Sequence, residues 1–247
     1  MTQGTKEWAD SNINIFHGCS NDCTYCYAKR MAIRFGRKTK ENWKEMELNE
    51  KAYNKGYKLR KGRIMFPTSH DITIKNIHEC ITVLKKILEA GNNVLITTKP
   101  HPACIYLICE ELEKYKKKMQ FRFTITSNDD SILKEFEPNA PDYDRRRACV
   151  RYAHKQGWQT SISIEPFLDE DPIPLIRDIE PFVNETIWIG IMSGQSFKHH
   201  SDHNLKKVVQ GINTLPIDVR VKIRLKDSIR NRGYQINEND KEINGKV

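Results

Sequence analysis

The sequence predicts an α/β protein, a partial barrel in which parallel strands alternate with helices. The prediction comes from seven short segments rich in Ile, Val, Phe and Thr, from helical stretches between them, and from polar residues where the segments end. Strands separated by helices imply a parallel sheet with right-handed crossovers. This number of strand–helix units favours an incomplete barrel over a short open sheet. The predicted strands are residues 12–17, 63–67, 93–98, 121–126, 158–164, 186–191 and 219–225.

Three of the connecting stretches have apolar residues at helical spacing. Ile77 to Ala90 is the clearest of them, and it is followed by Gly91, a residue that commonly terminates a helix. We predict two further helices over Pro102 to Tyr115 and Tyr143 to Gln156, the second again followed by a glycine, Gly157. These helices supply the crossovers that a parallel sheet requires.

The predicted strands have one apolar and one polar face. In strand 121–126, Phe121 and Phe123 alternate with Arg122 and Thr124, and strands 158–164 and 219–225 alternate in the same way. A parallel strand buried on both faces would be apolar on both. We therefore expect one face to pack on helices and the other to line a cavity for a polar ligand. Catalytic residues of such barrels lie at the carboxyl ends of the strands.

Length and composition indicate a single sizeable domain without membrane segments. The 247 residues are enough for a substantial core. The longest apolar run, 103–109, is far too short to span a bilayer, and the N-terminal sequence MTQGTKEW has no apolar signal segment. We expect a barrel over residues 1–230 with a basic insertion at 37–62, and a polar C-terminal extension at 231–247. We also expect a cytoplasmic protein with no membrane partner.

The strongest local signal is a group of three cysteines directly after the first predicted strand. Cys19, Cys23 and Cys26 are spaced C-x3-C-x2-C, so one loop can fold its thiolates around a compact inorganic centre. Cysteine thiolates are the usual ligands of iron–sulfur clusters, and three of them leave one iron of a 4Fe–4S cluster open. Together with His17, the same cysteines could instead bind zinc, although zinc sites more often combine two separated pairs.

The spacing, its position after the first strand and the aromatic residue Tyr25 resemble the signature of radical S-adenosylmethionine (SAM) enzymes. The resemblance implies a partial (β/α)6 TIM-like barrel in which the open iron binds the amino and carboxylate groups of SAM. It also implies that the reduced cluster cleaves SAM to methionine and a 5′-deoxyadenosyl radical, which abstracts a hydrogen atom. The phrases TYCYA (24–28), TTKP (97–100) and SIEP (163–166) resemble spore-photoproduct-lyase-like proteins and short phage-encoded three-cysteine proteins.

The resemblance also assigns roles to single residues. Cys19, Cys23 and Cys26 would ligate the cluster, and Tyr25 would lie near the adenine. The superfamily often carries a Gly-Gly-Glu stretch after the second strand, where this chain has 68–71 (TSHD). The resemblance implies cofactor contacts at six further positions: Ser69, Asp71, Ser127, Asn128, Glu165 and Gly190. It also implies that Glu165 could face the substrate.

Two further residues near the third strand are candidates for catalysis. Cys104 lies five residues after Lys99, near the carboxyl end of that strand, and a thiol there could return a hydrogen atom to a substrate radical. Core packing is the common alternative for a buried cysteine. Lys99 could pair with a carboxylate or phosphate, or lie solvated on the rim.

The positive charge of the chain is concentrated in one segment. The net charge is +9, and residues 29–63 hold 13 basic and four acidic residues, so the rest of the chain is balanced. Trp43, Tyr53 and Tyr57 lie within this segment. Basic groups with interspersed aromatic residues suit phosphate neutralisation and base stacking, although a solvated helical face has the same composition. The segment therefore predicts a local anionic partner.

These observations lead to one functional hypothesis and two alternatives. The hypothesis is a radical SAM enzyme with a 4Fe–4S cluster that modifies or repairs a nucleic-acid base or nucleotide, such as in DNA repair. The resemblance implies an external electron donor such as flavodoxin or ferredoxin. The first alternative keeps the chemistry but acts on a peptide or small metabolite. The second alternative is a non-enzymatic, zinc-stabilised nucleic-acid-binding protein.

Overall fold

The computed structural model describes residues 4–237, and nine strands form within them. They are β1 (Ser11–Asn12), β2 (Phe16–His17), β3 (Glu47–Leu48), β4 (Arg63–Phe66), β5 (Asn93–Thr98), β6 (Met119–Thr124), β7 (Gln159–Ile164), β8 (Ile187–Ile189) and β9 (Ile223–Leu225). The helices are α1 (Tyr27–Arg34), α2 (Glu50–Asn54), α3 (Ile77–Glu89), α4 (Pro102–Glu111), α5 (Asp130–Phe136), α6 (Tyr143–Lys155), α7 (Ile173–Ile179), α8 (Asp202–Asn213), α9 (Ile217–Arg220) and α10 (Asp227–Arg230).

The main sheet confirms the predicted fold class. Seven parallel strands follow one another in the order β1-β4-β5-β6-β7-β8-β9, while β2 and β3 form a small antiparallel pair. Within the described chain, β1 and β9 are the two edges and do not pair, so the barrel is open on one side. All seven carboxyl strand ends lie at one rim, where the predicted site residues are expected to meet.

The two faces of the sheet differ as the alternation predicted. Phe121, Phe123 and Ile162 belong to the main apolar core, which the sheet shares with α3, α4 and α6. On the opposite face Arg122 lies in register with Ser161, and its guanidinium donates to the Ser161 hydroxyl at 3.0 Å. The polar face is therefore the interior of the partial barrel.

Four strand predictions need correction. Segment 121–126 shifts to Met119–Thr124, and segment 186–191 shortens to Ile187–Ile189. Segment 12–17 splits into β1 and β2 because the Asn14 side chain accepts hydrogen bonds from the backbone of Thr68 and Ser69, at 2.7 and 2.9 Å. Segment 219–225 is a strand only from residue 223, since α9 begins directly after Pro216. Proline fixes its φ near the helical value and is well placed at a helix start.

One helix is shorter than predicted. We predicted a helix from Pro102 to Tyr115. The α-helix ends at Glu111, and a 3-10 helix follows at Glu113–Lys118. No helix among residues 4–237 combines the length and apolar character needed to cross a membrane.

The basic insertion folds onto the cysteine loop. Trp43 is only 2% exposed and packs with Cys19 and Ala32, while the Lys38 ammonium lies 2.6 Å from the Glu47 carboxylate. The prediction that Trp43 is available for base stacking is therefore wrong. Its ring packs against the cysteine loop instead.

The C-terminal extension is described only in part. Up to residue 237 it contacts α8 and the residues beside it: the Tyr234 hydroxyl donates to the Asp202 carbonyl at 2.8 Å, and the Asn237 amide donates to the Asn213 side chain at 2.9 Å. Residues 238–247 of the predicted extension lie outside the described residues. The proposed domain boundaries stay predictions.

Candidate active site at the cysteine loop

The cysteine loop leaves β2 at Gly18 and ends where α1 begins. The Cys19 amide donates to the Trp43 carbonyl at 2.9 Å, and the Thr24 amide donates to the Phe136 carbonyl at 2.9 Å. Cys26 caps α1, because its sulfur accepts the Lys29 amide at 3.4 Å. The loop is thus anchored on both sides, to the insertion and to the end of α5.

Gly18 is required for the loop to leave the strand in this direction. Its φ is +92°, and a Cβ atom would lie 2.3 Å from the Glu45 carbonyl oxygen and 2.6 Å from that of Trp43. Both obstacles are backbone atoms, so neither can move as a flexible side chain would.

We predict that Gly18→Ala lowers the free energy of unfolding by about 3 kcal/mol. The cost of a left-handed conformation for alanine adds to the cost of the overpacked contact with the backbone. Gly157 is the matched control: its φ is +74°, and nothing lies within 4 Å of the position that a Cβ atom would take. Gly157→Ala should cost only about 1 kcal/mol. Urea unfolding measures both, and equal losses in the two variants would contradict the steric role of Gly18.

The three cysteines of the loop carry free thiols, and Cys19 and Cys23 are buried while Cys26 is partly buried. Burial, together with the Asp71 carboxylate and the Cys26 thiol, raises the pKa of Cys19 to about 12. Burial also raises the pKa of Cys23 and of Cys26, while the Lys99 ammonium acts in the opposite direction on both thiols. Assembly of an iron–sulfur centre on these thiols must therefore release their protons, as thiolate ligation requires.

The donor chemistry of this loop fits an iron–sulfur cluster. Three thiols on one short, anchored loop with a cation beside them are suitable ligands for such a cluster, whose thiolates add negative charge. Among residues 4–237, no three His, Cys, Asp or Glu side chains, those of the loop included, are grouped around the position of a single metal ion. His17, the fourth ligand of the zinc alternative, is exposed, and its ring nitrogen lies 3.4 Å from the Asn49 amide.

A buried charge network supports the loop from α5 and α6. The Glu137 carboxylate is fully buried, lies 2.6 Å from the Arg146 guanidinium and 3.8 Å from the Lys99 ammonium, and accepts a hydrogen bond from the Thr126 hydroxyl at 2.8 Å. The Tyr25 hydroxyl donates to the same carboxylate. Burial opposes ionisation of Glu137, but the two cations hold its pKa below the usual value.

Lys99 carries the charge that links this network to the cysteines. Burial alone would lower its pKa, yet Cys23, Tyr25 and Glu137 raise the pKa well above its usual value. Its ammonium also lies 5.6 Å from the centre of the Tyr25 ring. The side chain is only 13% exposed, so Lys99 is a buried cation and not a solvated rim lysine.

Asp71 follows β4 and ties three segments together. Its carboxylate accepts from the Asn21 side chain at 2.9 Å, from the Ile72 and Lys99 amides at 3.0 Å, and from the Thr98 hydroxyl. Burial raises its pKa, against the opposing effects of Lys99 and Thr98. The predicted contact of Asp71 with SAM stays a prediction, and the structure adds that this carboxylate joins the cysteine loop to β5.

A second group of predicted residues lies at the ends of β7 and β8. The Glu165 carboxylate is 3.8 Å from the Lys226 ammonium, which also contacts Glu7 at 2.9 Å. Gly190 makes room for them, because a Cβ there would lie 2.7 Å from Glu165 Cγ and 2.9 Å from Lys226 Cγ. Burial raises the pKa of Glu165 to about 7, with Lys226 opposing the shift.

Because its pKa is raised, the Glu165 carboxyl binds a proton more tightly in the folded than in the unfolded protein. Its contribution to stability is present below the unfolded value near pH 4.5 and is lost as the pH rises toward 7. We predict that, from pH 5 to pH 8, the wild type loses about 2 kcal/mol more unfolding free energy than Glu165→Gln. Parallel pH profiles of the two proteins would contradict this assignment.

The N-terminal segment enters the barrel, which the sequence did not reveal. The Trp8 ring packs edge-on against Trp188 at 5.8 Å, and the Arg122 guanidinium lies 4.6 Å from the centre of the Trp8 ring. The Glu7 side chain is 3% exposed beside Lys226. Part of the polar interior predicted for a ligand is therefore filled by the chain itself. No local signal marks Glu7 or Trp8, since their partners lie far away in sequence.

Ser69, Ser127 and Asn128 are the remaining residues predicted to contact the cofactor. The Ser127 hydroxyl is buried and donates to Asp169, whereas Asn128 is exposed. Ser69 lines a cavity of about 310 Å³ with Gly18 and Tyr27, and Glu165 lines another of about 410 Å³ with Lys226. Both cavities adjoin residues that were predicted to contact the cofactor.

Cys104 lies on the helix side of the sheet. It is 1% exposed in the apolar core, and burial raises the pKa of its thiol to about 12. Its role as a hydrogen-atom donor stays a prediction, and the structure gives it the surroundings of a packed core residue.

Sequence reasoning also missed the centre of the charge network. Neither Glu137 nor Arg146 is among the predicted site residues. The period of α6 places Arg146 on the buried side with Cys149 and Val150, and this spacing was a usable signal. Nothing local identifies Glu137 as its partner.

With this geometry established, the chain can be assigned to a family. The family model described as the Radical SAM superfamily matches residues 13–177, so the chain belongs to the radical SAM superfamily. It is a radical SAM enzyme, and the cofactors of this family are a 4Fe–4S cluster and SAM. The match favours the cysteine-cluster prediction over the zinc-module alternative.

Two uncharacterized relatives are similar in sequence. A protein of Methanocaldococcus jannaschii is 22% identical over 205 residues, which is 78% of this chain and 75% of that protein. A protein of Acidianus two-tailed virus is 24% identical over 204 residues, 75% of this chain and 66% of that protein.

Solved structures share the fold. A spore photoproduct lyase variant with bound SAM and dinucleoside spore photoproduct superposes with a TM-score of 0.50 and 15% identity, over 81% of this chain and 65% of that chain. The structure of Streptococcus suis SuiB bound to SAM superposes with a TM-score of 0.51 and 12% identity, over 92% of this chain and 46% of that chain. The chain thus spans two thirds or less of these proteins, and at this identity the likeness shows the fold alone.

Proposed function

We propose that this enzyme holds a 4Fe–4S cluster on Cys19, Cys23 and Cys26 and acts on a nucleic-acid base or nucleotide, which it modifies or repairs. The observation that carries the proposal is the loop of three free thiols, two of them buried, beside the Lys99 cation, with α1 and its basic side chains following directly. When bound, the reduced cluster supplies the electron that cleaves SAM to methionine and a 5′-deoxyadenosyl radical.

The protein side of this chemistry consists of binding and orientation. We propose that Tyr25, Ser69 and Asp71 hold SAM near the loop and that Ser127, Asn128, Glu165 and Gly190 hold it along the strand ends. Lys99 supplies positive charge that offsets the thiolates in a water-poor site, where electrostatic interactions are stronger than in water. An external one-electron donor such as flavodoxin or ferredoxin supplies the electron.

Charge distribution supports a nucleic-acid substrate. Residues 29–63 hold the whole net positive charge of the chain, and localised positive charge concentrates a polyanion near the site. The spore photoproduct lyase with the same fold was solved with a dinucleoside. Both points support a nucleotide-containing substrate over a peptide or small metabolite.

Anaerobic reconstitution tests the chemistry. We expect about four iron and four sulfide per chain, and formation of 5′-deoxyadenosine from SAM after reduction with dithionite. One zinc per chain with no sulfide, or no 5′-deoxyadenosine from a fully loaded protein, would overturn the proposal.

Isotope transfer tests the substrate class. DNA or RNA with deuterated nucleosides should pass deuterium to 5′-deoxyadenosine, or to SAM if SAM is regenerated, and mass spectrometry detects either product. Deuterated peptides are the control. Transfer from peptides and not from nucleic acid would favour the alternative substrate.

A further inference from the structure

α1 and the residues after it expose two aromatic rings surrounded by guanidinium groups. Tyr27 is 57% exposed and Phe35 is 60% exposed. The Arg30 guanidinium lies 6.0 Å from the centre of the Tyr27 ring, and those of Arg34 and Arg37 lie 5.8 and 5.6 Å from the centre of the Phe35 ring. We refer to Tyr27, Arg30, Arg34, Phe35 and Arg37 as the α1 surface.

The charges of the α1 surface are not neutralised locally. From Cys23 to Lys40 the chain has six basic residues and no acidic residue. Two of the six, Lys29 and Lys38, pair with Asp22 and Glu47 outside this range, each at 2.6 Å. In the described part of the chain, the Arg34 and Arg37 side chains are exposed and form no ion pair, and Arg30 donates to the Gly194 carbonyl at 2.7 Å and to the Ser193 carbonyl. This surface attracts anions.

Aromatic rings and cations on one surface suit single-stranded nucleic acid. Unpaired bases expose flat faces that stack on aromatic rings, while Arg side chains neutralise the adjacent phosphates. An acidic protein would satisfy the charges but has no comparable use for two exposed rings. The combination therefore favours a strand with unpaired bases over an acidic protein.

The α1 surface also lies close to the cysteine loop. α1 begins immediately after Cys26, and Phe35 is nine residues further on, which is about 14 Å at the rise of an α-helix. Tyr27 and Arg37 line the 310 Å³ cavity together with Gly18. A strand bound along this surface would therefore pass beside the loop and the cavity.

We infer that the α1 surface binds the substrate as a single strand or unpaired segment of nucleic acid, with bases stacked on Tyr27 and Phe35 and phosphates at Arg34 and Arg37. The inference rests on the proposed function and names the surface that serves it. The inference assigns base stacking to Tyr27 and Phe35 and not to the aromatic residues of the insertion. Trp43 is buried, and Tyr53 and Tyr57 are partly buried against the core.

Fluorescence anisotropy of a labelled single-stranded DNA with the reconstituted enzyme tests this binding surface. Phe35→Ala should weaken binding at least about fivefold, the low end for loss of one stacked base. Tyr106→Ala, at an exposed ring on α4 that is 42% accessible, is the control and should bind as the wild type does. The same sequence as a perfect duplex should bind more weakly than the single strand.

Salt dependence tests the phosphate contacts. Arg34→Gln combined with Arg37→Gln should reduce the slope of log binding constant against log salt by about 1.4, since each single-strand phosphate contact contributes about 0.7. Lys117→Gln combined with Lys118→Gln removes the same charge from exposed lysines that precede β6, at the opposite end of the strands, and should leave the slope unchanged.

Three results would overturn the inference: equal effects of the two double variants, unchanged binding by Phe35→Ala, or competition by polyglutamate as strong as that by unlabelled DNA. The last result would identify an acidic protein as the partner. Formation of 5′-deoxyadenosine by the wild type is measured separately. The proposed chemistry can therefore stand when this surface assignment fails, and the reverse also holds.

Discussion

Replacement of Cys19, Cys23 or Cys26 by alanine should abolish cluster binding and the formation of 5′-deoxyadenosine from SAM. Three cysteines leave no spare ligand on the loop, and within the described chain the other four cysteines lie buried on helices. Loss of one thiolate therefore leaves two, too few to hold a 4Fe–4S cluster that already lacks a fourth protein ligand. Iron and sulfide content and product formation measure the effect.

Cys80→Ala and Cys109→Ala are the matched controls for this experiment. Both cysteines are buried in the apolar core, so the substitutions remove a thiol without touching the loop. We expect full iron and sulfide content in both variants, with circular dichroism confirming that all variants fold. Cluster binding by Cys23→Ala, or equal losses in the controls, would contradict the assignment of the loop.

Arg146→Met should lower the free energy of unfolding by about 3–5 kcal/mol, because the Glu137 carboxylate stays buried but loses its guanidinium partner. Both side chains are fully buried, and their charged atoms lie 2.6 Å apart. Methionine keeps much of the volume of the side chain, so the loss reports the charge and not a large cavity. Urea unfolding at neutral pH measures the change.

The neighbouring residue provides the control for this prediction. The Arg145 side chain is 63% exposed and lies 3.4 Å from Asp142, so Arg145→Met breaks only a surface ion pair. Such pairs contribute about 0–1 kcal/mol. A loss below about 1 kcal/mol in Arg146→Met would show that the Glu137 carboxylate is neutral or otherwise satisfied in the folded protein.

Local patterns predicted most of the fold. The alternation of strand and helix, and the apolar spacing of α3 and α6, depend on neighbours within a few residues, and the structure confirms both. The errors occurred where a contact between distant segments overrode the local pattern. Asn14 interrupts the first predicted strand because its side chain binds backbone amides more than 50 residues away.

The candidate site was predicted unevenly for the same reason. The cysteines, Tyr25, Asp71 and Lys99 lie together, as their positions at strand ends suggested. Glu165 and Gly190 also lie together, and both adjoin the Lys226 side chain. Lys226 is not among the predicted site residues. Trp43 was predicted as an exposed stacking residue from composition alone, and composition does not tell which side of a segment faces the core.

The sequence by itself determined the parallel α/β architecture, the radical SAM family and the three thiols of the loop, because each depends on residue types at short, fixed spacings. Only the tertiary structure decided that Glu7 and Trp8 fill part of the barrel and that Glu137 pairs with Arg146 behind the loop. It also decided that the exposed rings among the basic residues are Tyr27 and Phe35. Burial and charge pairing between distant segments follow from how the elements pack, and no short spacing in the chain encodes them.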